Sequence, residues 1–165
     1  MRNYCKKIRL NTGRNCLITI SSTREVIDVT RKSNQSGKIL SLFTGDFSIM
    51  FTALKQATMF TALSALTEHC FRNAMNTGGH SYITISGNRA FYTRSLMDGK
   101  LCYRKAEVIE LIHDQLNSSY ITFAGFTFQQ VRGTPMGANA SCSLADCTLL
   151  WHEYQFLRNC DEDVS

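Results

Sequence analysis

The segment that most restricts how this chain can fold is Gly133-Thr134-Pro135-Met136-Gly137, which stands between a strand-like run, Phe126 to Gln130, and a helix-like run that follows it. Gly133 and Gly137 permit backbone conformations or close approaches that a Cβ blocks, and Pro135 fixes one dihedral and removes a donor. With Gln129, Gln130 and Arg132 just ahead of it, the loop relies on backbone as much as on side chains, and it suits a flat polyanion or a nucleotide.

The 165 residues, 44% of them hydrophobic, suffice for one domain with a core and not for two comfortable ones. No apolar run approaches the roughly 18 residues of a membrane span. Met1 to Arg9 is too polar and interrupted for a signal peptide, so an intracellular chain without membrane contact is expected, its compartment open between nucleus and cytoplasm. Cys5, Cys16, Cys70, Cys102, Cys142, Cys147 and Cys160 form no Cys-x-x-Cys pair and are odd in number. That argues against a zinc knuckle and a disulfide framework, and for buried free thiols. His69, His80, His113 and His152 show no metal-ligand spacing.

The net charge is +5, and the first fifth of the chain holds Arg2, Lys6, Lys7, Arg9, Arg14, Arg24, Arg31 and Lys32 against only Glu25 and Asp28. Such a cluster fits phosphate contacts through counterion release; an ordinary solvated basic face has the same composition.

Ser22-Thr23-Arg24-Glu25 has the spacing of a capping box and predicts a short helix to about Arg31, followed by a loop over Ser33 to Gly37. Ile39 to Phe43 is of strand length and delivers the chain to Asp46. From Leu54, apolar residues at Met59, Phe60, Leu63, Leu66, Cys70 and Phe71 recur at helical intervals, and Asn76 to Gly79 ends that helix. Gly87-Asn88 and Ala124-Gly125 predict two β-hairpins, with a helix from about Lys105 to Gln115 between them. A last helix carries Leu144, Cys147, Leu150, Trp151, Tyr154 and Leu157 and ends near Arg158. The fold class expected is α+β, an antiparallel sheet carrying Asp46 and the Phe126 to Gln130 strand, backed by the two long helices.

Asp46 emerges between two apolar flanks at a strand-to-helix junction. It can be a helix N-cap or, if partners converge, a first ligand to Mg²⁺, which favours one or two carboxylates plus phosphate oxygens and waters. Asp146 and Glu153 lie seven apart on one helix and read as surface or buffered core residues.

Asp46-Phe47-Ser48-Ile49-Met50-Phe51-Thr52, then Phe128-Gln129-Gln130-Val131-Arg132-Gly133-Thr134-Pro135-Met136-Gly137 about 80 residues later, then Leu144-Ala145-Asp146, stand in the order of two linked blocks and a helix. The run from Ser22 to Leu157 resembles the reverse transcriptase domain of eukaryotic retroelements, of the Penelope-like and non-LTR type. The resemblance implies a partial polymerase palm with part of the fingers. Residues 1–40 form the basic fingers-like segment, 41–157 the palm-like segment and 158–165 a polar tail. It implies RNA-directed DNA synthesis by two-metal phosphoryl transfer, with Mg²⁺ as cofactor and RNA template, DNA primer and dNTP as partners. Asp46 then serves as catalytic metal ligand, and Phe47 lends a backbone carbonyl to a metal. Phe51 packs under the nucleotide sugar, or is simply a core aromatic. Pro135, Met136 and Gly137 line the nucleotide pocket, Gly133 shapes the loop beside the nucleic acid, and Gln130 and Arg132 contact template or primer backbone or stand as solvated loop residues.

Met136 stands where many of these enzymes have glutamine, and Cys142 where they often have proline. The resemblance also implies an aromatic-x-Asp-Asp turn, which these residues lack. The expectation is therefore a domain truncated before that block and inactive or nearly so by itself, or else a non-catalytic nucleic-acid-binding remnant or a pseudogene product. Its oligomeric state is not indicated.

Overall fold

The computed structural model describes residues 23–37, 50–134 and 140–162. The chain divides into two compact units, Met1–Ser48 and Ile49–Ser165.

In the first unit the described element is α1 (Thr23–Gln35). It runs past the expected end near Arg31, because the Ser36 N–H still reaches the Lys32 and Ser33 carbonyls at 3.1 and 3.2 Å and Gly37, at φ +68°, closes the helix. Ser33 to Gln35 therefore form a last helical turn rather than a loop. Arg24, Arg31 and Lys32 are exposed along it. Arg31 lies 3.9 Å from Asp28, an exposed pair that contributes little stability.

The second unit is α+β. Its elements are α2 (Met50–Ala53), α3 (Gln56–Gly78), β1 (Tyr82–Ser86), β2 (Arg89–Thr93), β3 (Leu101–Arg104), α4 (Lys105–Asn117), β4 (Tyr120–Phe123), β5 (Phe126–Gln129) and α5 (Ser141–Glu162). The apolar period read from Leu54 to Phe71 becomes α3, which ends at Gly79 in the left-handed region, φ +64°. There the Gly79 and His80 N–H groups donate to the Met75 and Ala74 carbonyls at 2.7 and 3.3 Å, satisfying carbonyls the helix leaves free.

The core centres on Met59 and Leu63 of α3 and Leu116 of α4, with Leu54, Phe60, Ile112, Leu144 and Cys147 packed around them. α3 thus meets both α4 and α5. On α5, Ala145, Thr148 and Leu150 are buried. Thr148 can lie there because its hydroxyl donates to the Leu144 carbonyl at 2.8 Å. α5 continues to Glu162, a turn beyond the expected end.

Three strands form an antiparallel sheet in the order β2-β1-β3. β1 and β2 are the hairpin around Gly87-Asn88, whereas β3 was not anticipated; it pairs with the second edge of β1 from Tyr82↔Arg104 to Ile85↔Leu101. Thr84 is buried at the sheet centre, its hydroxyl 2.7 Å from that of Thr93 and 3.3 Å from the Cys102 thiol. Phe71 meets Tyr92 edge to face at 5.6 Å and fixes the sheet to α3. Arg104 ends β3 and starts α4 at once, its N–H donating to the Glu107 carboxylate at 2.6 Å.

β4 and β5 form a separate hairpin, its turn residues Ala124 and Gly125 at φ +50° and +82°, as a two-residue turn matching strand twist requires. The expected strand from Ile39 to Phe43 and its Asp46 lie outside the described residues. α3 and α5, expected to share a sheet, bury their apolar stripes against each other. Of the thiols expected to be buried, Cys70, Cys102 and Cys147 are half-buried, while Cys142 is exposed in the first turn of α5; none of these four forms a disulfide among the described residues.

Along the seam of α3 and α5, the His69 ring lies 4.9 Å from Tyr154 and 6.0 Å from Trp151. The Asn73 amide donates to its Nε2 at 3.1 Å, a bond that requires an unprotonated acceptor. Partial burial, then the Arg72 and Arg158 guanidiniums, hold the ring below its ordinary value of 6.5.

Leu116→Ala removes the α4 side chain from the centre of the core and should cost about 2–5 kcal/mol in urea denaturation, without changing the fold by circular dichroism. The unfolded His69 ring takes its proton near pH 6.5 and the folded ring only at lower pH. Below about 6.5 the unfolded state then binds more protons, so this contribution is complete above 6.5 and declines as pH falls through that value. The urea midpoint of the native chain should drop on acidification below 6.5 more than that of His69→Gln.

Candidate functional site

The arm leading into the glycine-proline loop is sewn to the start of α3. The Gln130 N–H closes the β4–β5 hairpin on the Ser119 carbonyl at 2.8 Å, and the Gln129 amide donates to Asn117 O at 2.9 Å. Two residues on, Arg132 pairs with Lys55 in an isolated antiparallel bridge, and the Gly133 N–H donates to the Leu54 carbonyl at 2.6 Å. The Gln56 amide, from the first residue of α3, reaches back to the Gln130 carbonyl at 2.8 Å and to Gly133 O at 3.4 Å.

This explains why the helical pattern breaks between α2 and α3. Lys55 is extended, φ −68° and ψ 130°, because a residue in a β-bridge cannot be helical. α3 then starts without a side-chain cap and without an acidic residue in its first turn. Gln56 instead spends its amide on the incoming arm.

Gly133 is buried at φ +70°, a conformation a side chain resists. Gln130 is half-buried, and its side-chain amide donates to the Arg132 carbonyl at 2.7 Å, closing the arm on itself. Arg132 is exposed. Thr134 is buried, and among the described residues its hydroxyl has no hydrogen-bond partner. Phe51 lies on α2. Asp46, Phe47, Pro135, Met136 and Gly137 lie outside the described residues. Asp146 is exposed and Glu153 half-buried on α5.

The arrangement joins two stretches far apart in sequence. Leu54 to Gln56 begin two residues after Thr52, the end of the Asp46 block, and Gln130 to Gly133 open the glycine-proline block. Sequence reasoning missed Lys55 and Gln56. A signal for the first was present: Lys55 is the only charged residue between Asp46 and Glu68.

No family model, curated protein or solved structure matches the chain. Among the described residues no three His, Cys, Asp or Glu side chains converge so as to hold a metal ion. Nor, among them, is any helix long and apolar enough to cross a membrane.

Gln56→Ala should detach the arm while leaving the helical core in place. The Gly133 amide should then exchange with deuterium faster than in the native chain, with a stability loss of about 1–3 kcal/mol for the carbonyls left unpaired. Unchanged exchange at Gly133 would show that the backbone bridge alone holds the loop.

Proposed function

We propose that the chain is a portion of a retroelement reverse transcriptase domain, the part of the palm and fingers that carries the first metal-binding aspartate and the loop flanking the incoming nucleotide. The observation supporting this reading is the seam described above. The stretch immediately behind the Asp46 block and the opening of the Gln-x-x-Gly-x-Pro-Met-Gly block are joined by a backbone bridge, a 2.6 Å hydrogen bond and a glutamine clamp. In a polymerase, those two blocks must hold one nucleotide between them.

On this reading Asp46 is a ligand to Mg²⁺, and Phe47 offers a backbone carbonyl to the same site. The chemistry the cation supplies when bound is activation of the primer 3′-hydroxyl and neutralisation of the departing pyrophosphate. The chain's own residues position and exclude. Phe51 bears on the sugar, and Pro135, Met136 and Gly137 form the nucleotide wall. Gln130, Arg132 and Gly133 set the loop's entry, with Arg132 available to a phosphate of the RNA template or DNA primer. Met136, in place of glutamine, offers a thioether where a polar contact to the nucleotide is common in this family.

One carboxylate cannot hold two metal ions, and the 165 residues contain no aromatic-x-Asp-Asp turn. By themselves they are therefore expected to give no primer extension on an RNA template with Mg²⁺. Nucleotide binding tests the reading without requiring turnover. Titration of dNTP with Mg²⁺, followed by NMR or calorimetry, should show Mg²⁺-dependent binding that Asp46→Asn weakens by roughly tenfold or more, a loss of about 1.4 kcal/mol. Absence of Mg²⁺-dependent dNTP binding, or binding that Asp46→Asn leaves intact, would sink it.

A further inference from the structure

The polymerase reading leaves the apolar face of the β4–β5 hairpin without a role, yet that face is exposed and aromatic. Cross-strand pairs share a face, so Ile121↔Phe128 and Phe123↔Phe126 place four apolar side chains on one side, while Tyr120, Thr122, Thr127 and Gln129 occupy the other. Both faces are open to solvent. On the apolar one, Ile121 is 51%, Phe123 74%, Phe126 69% and Phe128 48% exposed. Three phenylalanine rings on an uncovered two-stranded sheet mark a surface that receives something.

Charge indicates what that is. Between Asp114 and Asp146 the only charged residue is Arg132, and between Asp46 and Glu68 it is Lys55. The fold sets these two lone cations directly opposite each other in an antiparallel bridge. Like charges so placed repel, and among the described residues no carboxylate pairs with either. An anion between them relieves that repulsion. Arg132 follows Phe128 by four residues, so their Cα atoms are at most about 14 Å apart, within the reach of a few nucleotides.

We propose that the apolar face of this hairpin, with the Lys55–Arg132 pair at its end, binds single-stranded nucleic acid. Bases stack on Phe123, Phe126 and Phe128, and the backbone phosphates lie against the two cations. Aromatic rings on a sheet stack bases without regard to sequence, and the absence of carboxylates along the hairpin leaves the phosphates unopposed. A second copy of the hairpin docking on the same phenylalanines would cover the rings but, having no Asp or Glu from Tyr120 to Gln129, would bring no anion to Lys55 and Arg132, so nucleic acid is the better-matched occupant. The inference shares with the polymerase reading its class of ligand and Arg132, but neither Asp46 nor the reaction, and the phenylalanine face belongs to this inference alone.

The test uses the full chain and a fluorescently labelled single-stranded RNA of mixed sequence, with anisotropy measured at two salt concentrations. Phe123→Ala and Phe126→Ala, both at exposed positions, should each weaken binding roughly tenfold or more, while Phe123→Trp keeps it. Lys55→Gln with Arg132→Gln should weaken binding and lower the salt slope by about 2. An abasic oligomer of the same length should bind no better than the alanine variants. Asp46→Asn should bind the RNA like the native chain, which separates this site from the polymerase reading. Equal binding of native chain and phenylalanine variants, or of abasic and normal oligomers, would overturn the proposal. So would self-association that Phe123→Ala abolishes in a chain that binds no RNA.

Discussion

The antiparallel bridge between Lys55 and Arg132, with the Gly133 N–H on the Leu54 carbonyl, is the contact on which the second unit's arrangement depends. It fixes where α3 starts, since an extended Lys55 cannot belong to a helix and everything from Gln56 onward can. It also fixes where the β4–β5 hairpin ends its run, by drawing the chain after Gln130 back to α3. The glycine at 133 is part of the same constraint. Its positive φ turns the chain at the point of attachment, and a Cβ there would oppose that turn while the bridge held.

α3 is the element through which that contact spreads. Met59 and Leu63 lie in the core with Leu116 of α4, and Leu144 and Cys147 of α5 complete the packing around them. Toward its far end, Phe71 receives Tyr92 from the three-stranded sheet. Burial, together with the Cys70 thiol that hydrogen-bonds it, raises the Tyr92 hydroxyl well above its ordinary value, so the residue acts as a neutral anchor there. A helix shared by two helices and a sheet transmits a constraint at its first residue to the whole unit, because close-packed side chains leave little room to adjust independently.

Elements whose formation is decided locally were legible in the sequence. The 3.6-residue apolar period gave α3, α4 and α5, and the dipeptides Gly87-Asn88 and Ala124-Gly125 gave both hairpins, since each signal is contained within a few residues. What escaped was decided at a distance. β3 is four residues long and is a strand because β1 offers an unpaired edge, which no local pattern announces. The break at Leu54 and Lys55 interrupts a sequence with helical spacing because Arg132 claims Lys55. The clamp from Gln56 to Gln130 spans 74 residues, and neither glutamine advertises the other. At the candidate site, the special backbone of Gly133 could be read from its residue type, while the partners that use it could not. Asp46, the other half of that reading, lies outside the described residues, and its link to the loop rests on the residue pattern.

The bridge also shows why composition averaged over a chain hides what matters at a surface. A net charge of +5 is modest, and eight of the 18 lysines and arginines fall in the first fifth of the chain, so Lys55 and Arg132 count for little in any total. Each stands alone in a long uncharged stretch, and the fold brings the two together. Two cations that no carboxylate pairs with among the described residues, next to an uncharged hairpin with three exposed phenylalanines, form a local environment whose repulsion and uncovered apolar area are both relieved by one kind of partner. A protein segment could cover the rings, and a free anion could neutralise the cations. A strand of nucleotides does both at once, because its bases are flat and apolar on their faces and its phosphates recur along a flexible backbone.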